Sequence, residues 1–130
     1  MGFGSGLRIL VVDDIEDVRF AVKENLGMLG FTNVYTAFDG MNALEVLQEA
    51  HASNEDFELI LCDYDMPNLH GIDFFKAMQA TFGSSCPKFI LMSGVSDKTF
   101  IQVAMTAGIR SILLKPFSQQ NLVNTINKFF

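Results

Sequence analysis

Five short apolar runs alternate with five amphipathic patterns along the chain, and this alternation constrains the fold more than any other feature. The runs are Arg8 to Val12, Asn33 to Ala37, Phe57 to Cys62, Lys88 to Met92 and Ser111 to Leu114. The first helical pattern places Ile15, Val18, Val22, Leu26 and Leu29 at spacings of three and four, and Gly30 suits a left-handed stop. The later helices are expected over Gly40 to Ala50, Ile72 to Phe82, Lys98 to Ala107 and Gln119 to Phe129. Gly83 and Gly108 end the third and fourth.

Strands that alternate with helices pair in parallel through right-handed crossovers. Runs one, three and four are almost wholly apolar, as strands buried on both faces are. Run two is mixed in polarity and belongs at an edge. The strand order 2-1-3-4-5 satisfies both conditions. In such a doubly wound sheet the ligand crevice lies beyond the C-terminal ends of strands one and three, where the order reverses.

Two acidic clusters fall there, Asp13-Asp14 and Asp63-Tyr64-Asp65. Carboxylates crowded at the ends of buried strands repel, by roughly 4 kcal/mol for a pair about 4 Å apart at an effective dielectric of 20. A divalent cation held by oxygen ligands removes that cost. Ser93, after strand four, and Lys115, after strand five, reach the same edge. Each has an ordinary alternative: Asp14 as a helix cap, Ser93 and Asp65 as turn residues, Lys115 as a solvated charge. Together on one edge they point to a functional site.

The 130 residues make one domain, taken as residues 7–130, with 1–6 (Met-Gly-Phe-Gly-Ser-Gly) a flexible N-terminus or an appended scar. Hydrophobic residues at 49% and charged residues at 18% exclude a disordered chain. A net charge of −6 argues against contact with nucleic acid. No run is long enough to cross a membrane, and the opening lacks the pattern of a signal peptide. Cys62 and Cys86 are too few for a disulfide framework or a zinc site, and as reduced thiols they fit a cytoplasmic setting.

Four motifs carry a resemblance: Val11-Val12-Asp13-Asp14, Asp63-Tyr64-Asp65-Met66-Pro67-Asn68, Ser93-Gly94 and Lys115-Pro116-Phe117. In this order and spacing the chain, from Leu7 onward, resembles a receiver domain of two-component response regulators, most nearly the short chemotaxis type. The resemblance implies a flavodoxin-like (βα)5 sheet. It implies Asp63 as phosphoacceptor in a phosphorelay, fed by a sensor histidine kinase or a histidine phosphotransfer protein. It implies Mg²⁺ as cofactor, with Asp14, Asp63 and the backbone carbonyl of Asp65 as ligands and Asp13 acting through water. Ser93 would contact the phosphoryl group, Lys115 would pair with it, and a cis bond before Pro116 would direct Lys115. The surface of helix four, strand five and helix five would then bind a downstream protein or an output domain absent from this chain.

The residue types agree with such a switch: a carboxylate nucleophile needs no general base, and phosphoryl transfer needs charge neutralisation and in-line geometry. Many relatives carry an aromatic residue where this chain has Ile112, a stiff side chain with no ring to swing. The change is therefore expected in the Ser93 to Asp97 loop and helix four. Asp65 and Val95 are candidate tuners of the phosphoryl lifetime. His51, His70 and most Phe and Met positions read as structural, with Phe100, Phe117, Phe129 and Phe130 as candidates for an apolar patch. Three rivals are weighed. A Mg-dependent aspartyl phosphohydrolase would use Asp65 as acid and base. A flavin module would need a different loop after strand one. A non-phosphorylated interaction domain would not need the five polar residues. A self-resetting switch, and not a turnover enzyme, is the favoured reading.

Overall fold

A computed structural model describes residues 6–130. The proposed flexible or appended segment falls almost wholly outside these residues. The elements are β1 (Arg8–Val12), α1 (Glu16–Met28), β2 (Asn33–Ala37), α2 (Gly40–Ala52), β3 (Leu59–Asp63), α3 (Gly71–Phe82), β4 (Lys88–Ser93), α4 (Lys98–Thr106), β5 (Ile112–Leu114) and α5 (Gln119–Asn127). The five strands form one parallel sheet in the order β2-β1-β3-β4-β5. The order expected from strand polarity is therefore the one observed.

Strand alternation builds two cores from one sheet. Leu10, Val12, Ile60, Cys62, Phe89 and Leu91 point to one face, where Ala43 and Leu47 of α2, Phe74, Phe75 and Met78 of α3, and Phe100 and Ala104 of α4 cover them. Ile9, Val11, Leu59, Leu61, Ile90, Met92 and Leu113 point to the other, under Val22 and Leu26 of α1 and Leu122 and Ile126 of α5. β3 is buried along its whole length, which explains its continuous apolar character.

Several boundaries differ from those expected, for reasons that bear on function. Ladder bonding carries β3 through Asp63 and β4 through Ser93, so both residues belong to strands rather than to the loops after them. Phe57, expected to start strand three, is buried outside the ladder, and Ser111 precedes β5 although its carbonyl accepts from the Leu91 N–H. α2 runs on to Ala52, and α5 stops at Asn127, short of the Phe129 expected. Gly83 opens a short 3-10 turn that periodicity alone does not reveal. Gly30, Gly83 and Gly108 adopt positive φ of 98°, 57° and 108°, as helix stops require.

Phe100 is buried and supplies no surface patch; Phe117 and Phe129 pack partly against the α1/α5 core, and Phe130 is exposed. No helix among the described residues is long and apolar enough to cross a membrane.

Candidate functional site

Register brings the acidic clusters level. Val12 pairs with Cys62, so the residues that follow, Asp13 and Asp63, stand side by side. Asp63 continues the phase of Leu59 and Leu61 and faces the α1/α5 side, whereas Ser93 continues the phase of Phe89 and Leu91 and faces the other. Lys115 extends the β5 ladder by one bond, its N–H donating to the Ser93 carbonyl at 2.8 Å.

Asp13 is fully buried, and its bonds account for that. Its Oδ1 accepts from the Ile15 N–H at 2.9 Å, its Oδ2 from Lys115 Nζ at 3.4 Å, and its carbonyl from Arg19 Nη1 at 2.8 Å. Asp63 is nearly buried, and its Oδ1 accepts from Lys115 Nζ at 2.5 Å. Asp14 is exposed beside them. It does not cap α1, because Ile15 holds that position without a side-chain bond. One carboxylate oxygen from each of Asp13, Asp14 and Asp63 lies within 4.8 Å of the others.

The charges interact accordingly. Burial pushes the Asp63 carboxyl upward; the bond from Lys115 works against this, and the Asp13 charge adds to it. Burial draws the Lys115 ammonium downward, but its bond to Asp63 and the charges of Asp63 and Asp13 outweigh burial and leave it raised. Lys115 is thus a held cation rather than a solvated one.

The three gathered carboxylate oxygens suit a hard divalent ion. Mg²⁺ takes one or two carboxylates, keeps several waters and needs an opening to solvent. Asp14 lies on that open side. Ser93 points away, its hydroxyl accepting from the Val95 N–H at 2.9 Å and donating to the Val95 carbonyl at 3.1 Å. The Lys115-Pro116 bond is cis, and Pro116 is exposed. Ile112 packs partly against the core on the α4 side, while Val95 and the Asp65 side chain are exposed. The Asp65 carboxylate is not one of the three whose oxygens gather.

The description of the response regulator receiver domain matches residues 9–127. The chain belongs to the response regulator receiver domain family. Chemotaxis protein CheY of Pseudomonas aeruginosa is 35% identical over 124 residues, covering 95% of this chain and 96% of that one. The structure of Vibrio cholerae CheY4 superposes with a TM-score of 0.84 at 27% identity, over 95% of this receiver and 98% of that chain. The receiver domain of the Arabidopsis thaliana histidine kinase CKI1, complexed with Mg²⁺ and BeF3⁻, shares the fold with a TM-score of 0.79 at 23% identity, over 95% and 89%.

Two residues of this receiver escape a reading of its sequence. Arg19 looks like an ordinary polar position of α1, yet its guanidinium reaches the Asp13 carbonyl. Asp39 is buried at the start of α2, where it caps the helix by accepting from the Asn42 N–H at 2.8 Å and also accepts from the Asn68 amide. An Asp-Gly pair before an apolar periodic run signals the cap; nothing local signals the bond to Asn68.

Proposed function

We propose that Asp63 accepts a phosphoryl group from the phosphohistidine of a sensor kinase or phosphotransfer protein. The approach of Asp13, Asp14 and Asp63 to within 4.8 Å, with Lys115 bonded to Asp63, carries this reading. An oxygen of Asp63 attacks phosphorus as the P–N bond to the donor histidine breaks, giving an acyl phosphate. Asp14, Asp63 and the Asp65 carbonyl would hold Mg²⁺, with Asp13 acting through water. The ion, when bound, neutralises charge on the transferring oxygens. The Mg²⁺ and BeF3⁻ in the CKI1 receiver structure support the same assignment.

Lys115 keeps its proton through its two carboxylates and offers that charge to a phosphoryl oxygen. Ser93 exchanges its bonds to Val95 for one to the phosphoryl group, which pulls on residues 93–97. The ladder bond from Lys115 to Ser93 carries the same movement toward β5. Val103, Met105 and Leu114 are exposed on the α4-β5 side, where a downstream protein or an output domain would dock. The acyl phosphate then hydrolyses and resets the switch, in a cytoplasmic setting.

Intact mass after incubation with acetyl phosphate tests this, with and without Mg²⁺. A single Mg²⁺-dependent phosphoryl adduct, lost in Asp63→Asn, is expected. Absence of the adduct in protein that binds Mg²⁺ would favour the interaction-domain reading.

A further inference from the structure

The loop from Tyr64 to His70 follows the phosphoacceptor and carries the Asp65 carbonyl. One of its anchors lies outside the site. The Asn68 side chain donates from Nδ2 to Asp39 Oδ2 at 3.0 Å, while Asp39 Oδ1 accepts from the Asn42 N–H and caps α2. Asp39 is buried, 6% exposed, and both of its oxygens are used. Asn68 adopts a left-handed φ of 71°, which places its short amide back toward α2. The neighbouring pair packs just as closely. A Cβ on Gly40 would stand 2.9 Å from the Leu69 side chain, so the loop rests on bare backbone at the first residue of α2. On its other side the loop is closed by the Gly71 N–H donating to the Tyr64 carbonyl at 2.9 Å, and Met66 is buried in the core. Asp65 itself is exposed between these fixed points.

We propose that Asp39 is a positioning residue for the metal: its bond to Asn68 clasps this loop to α2 and holds the Asp65 carbonyl where Mg²⁺ takes it as a ligand. The inference rests on the site assignment above. The physical basis is that groups which orient a metal's ligands tune its affinity, and their loss typically weakens binding about ten- to a hundredfold. A backbone carbonyl has no side-chain torsion with which to recover its aim, so its direction depends wholly on how the loop is tied.

The test separates the clasp from the cap and from loop conformation. Asp39→Ser keeps an N-cap oxygen but is too short to reach Asn68. Asn68→Gly keeps the left-handed turn and removes the amide. Titration of each protein with MgCl2 by calorimetry, beside thermal unfolding without metal, gives two separate readouts. Each single variant is expected to bind Mg²⁺ about tenfold more weakly. The double variant is expected to lose no more than either single, because both break one bond. Magnesium affinities within twofold of wild type in both singles would overturn the clasp, as would losses that multiply in the double variant. Asp14→Asn serves as the control for the site itself. If wild type binds no Mg²⁺, or if Asp14→Asn binds it as wild type does, the site assignment fails and the clasp with it.

Discussion

At the scale of single residues, Asp63 stands in a conflict that the metal-free protein cannot relieve. Burial raises its carboxyl above the ordinary 3.8, the Lys115 bond opposes this, and the Asp13 charge reinforces it. A raised folded-state value means that the folded chain holds this proton more tightly than the unfolded chain does. The stability it contributes is complete below 3.8 and is lost as pH rises through the raised value. Asp63→Asn removes the titration. Without Mg²⁺ it is expected to unfold at a higher urea concentration than wild type at pH 7, with the difference shrinking as pH falls to 3.8. With saturating Mg²⁺ the order should reverse, since the variant lacks a ligand. Urea melts at several pH values, with EDTA or MgCl2, measure both. A second outcome concerns Asp65, whose exposed carboxylate adds negative charge beside the acyl phosphate. Asp65→Asn is expected to change the decay rate of phosphorylated protein, and equal rates in a phosphate-release assay would remove it as a tuner. Asp13, Asp14, Asp63 and Lys115 were legible in the sequence because each closes or follows a strand at one edge, so topology assembles them, whereas Ser93 shares the edge but its hydroxyl is turned to Val95. Asp39 and Arg19 were not, because what they bond depends on how loops and helix turns pack.

At the scale of elements, α3 starts against the end of β3 with no room to spare. A Cβ on Gly71 would lie 2.6 Å from the Asp63 carbonyl and 2.7 Å from Leu91. The first of these atoms is backbone and cannot swing aside. Gly71→Ala is therefore expected to lose about 1–3 kcal/mol of stability. It should also lower the yield of phosphorylated protein, because the strain falls on the phosphoacceptor's own peptide. Chemical denaturation and intact mass read the two effects separately. α4 is the element expected to respond to phosphorylation. Its N-cap, Asp97, bonds the Phe100 N–H at 2.9 Å, and Phe100 meets Tyr64 edge-on at 4.7 Å, beside the phosphoacceptor. Beryllofluoride with Mg²⁺ should shift amide resonances across residues 93–107, and unshifted resonances there would exclude this route. Helix and strand existence was readable from periodicity, but their ends were less so. The last ladder bonds of β3 and β4 are set by neighbouring strands, which is why Asp63 and Ser93 read as loop residues and fold as strand residues.

At the scale of the molecule, the site and the stability of the fold are linked through the metal. An ion that binds the folded chain alone stabilises it by about 2.7 kcal/mol at a hundred times its dissociation constant. The thermal midpoint should therefore climb with MgCl2, and EDTA should return it to its starting value. Asp14→Asn should flatten the curve while leaving the metal-free midpoint nearly unchanged, since Asp14 is exposed. Strand order was legible because polarity marked the edge strand and continuous apolar runs marked the centre. The bond from Asn68 to Asp39 was invisible because it joins elements far apart in the chain and no polarity pattern marks it.

The four positions 13, 63, 93 and 115 come from the first, third, fourth and fifth strand-and-helix units, and the cation is the last of them. A ribosome releasing this chain delivers both acidic clusters well before the lysine that balances them. Until β5 docks, the nascent sheet edge carries carboxylates with no cation of its own between them. The balance of charge at this edge is thus a property that the chain acquires only when its last strand is in place.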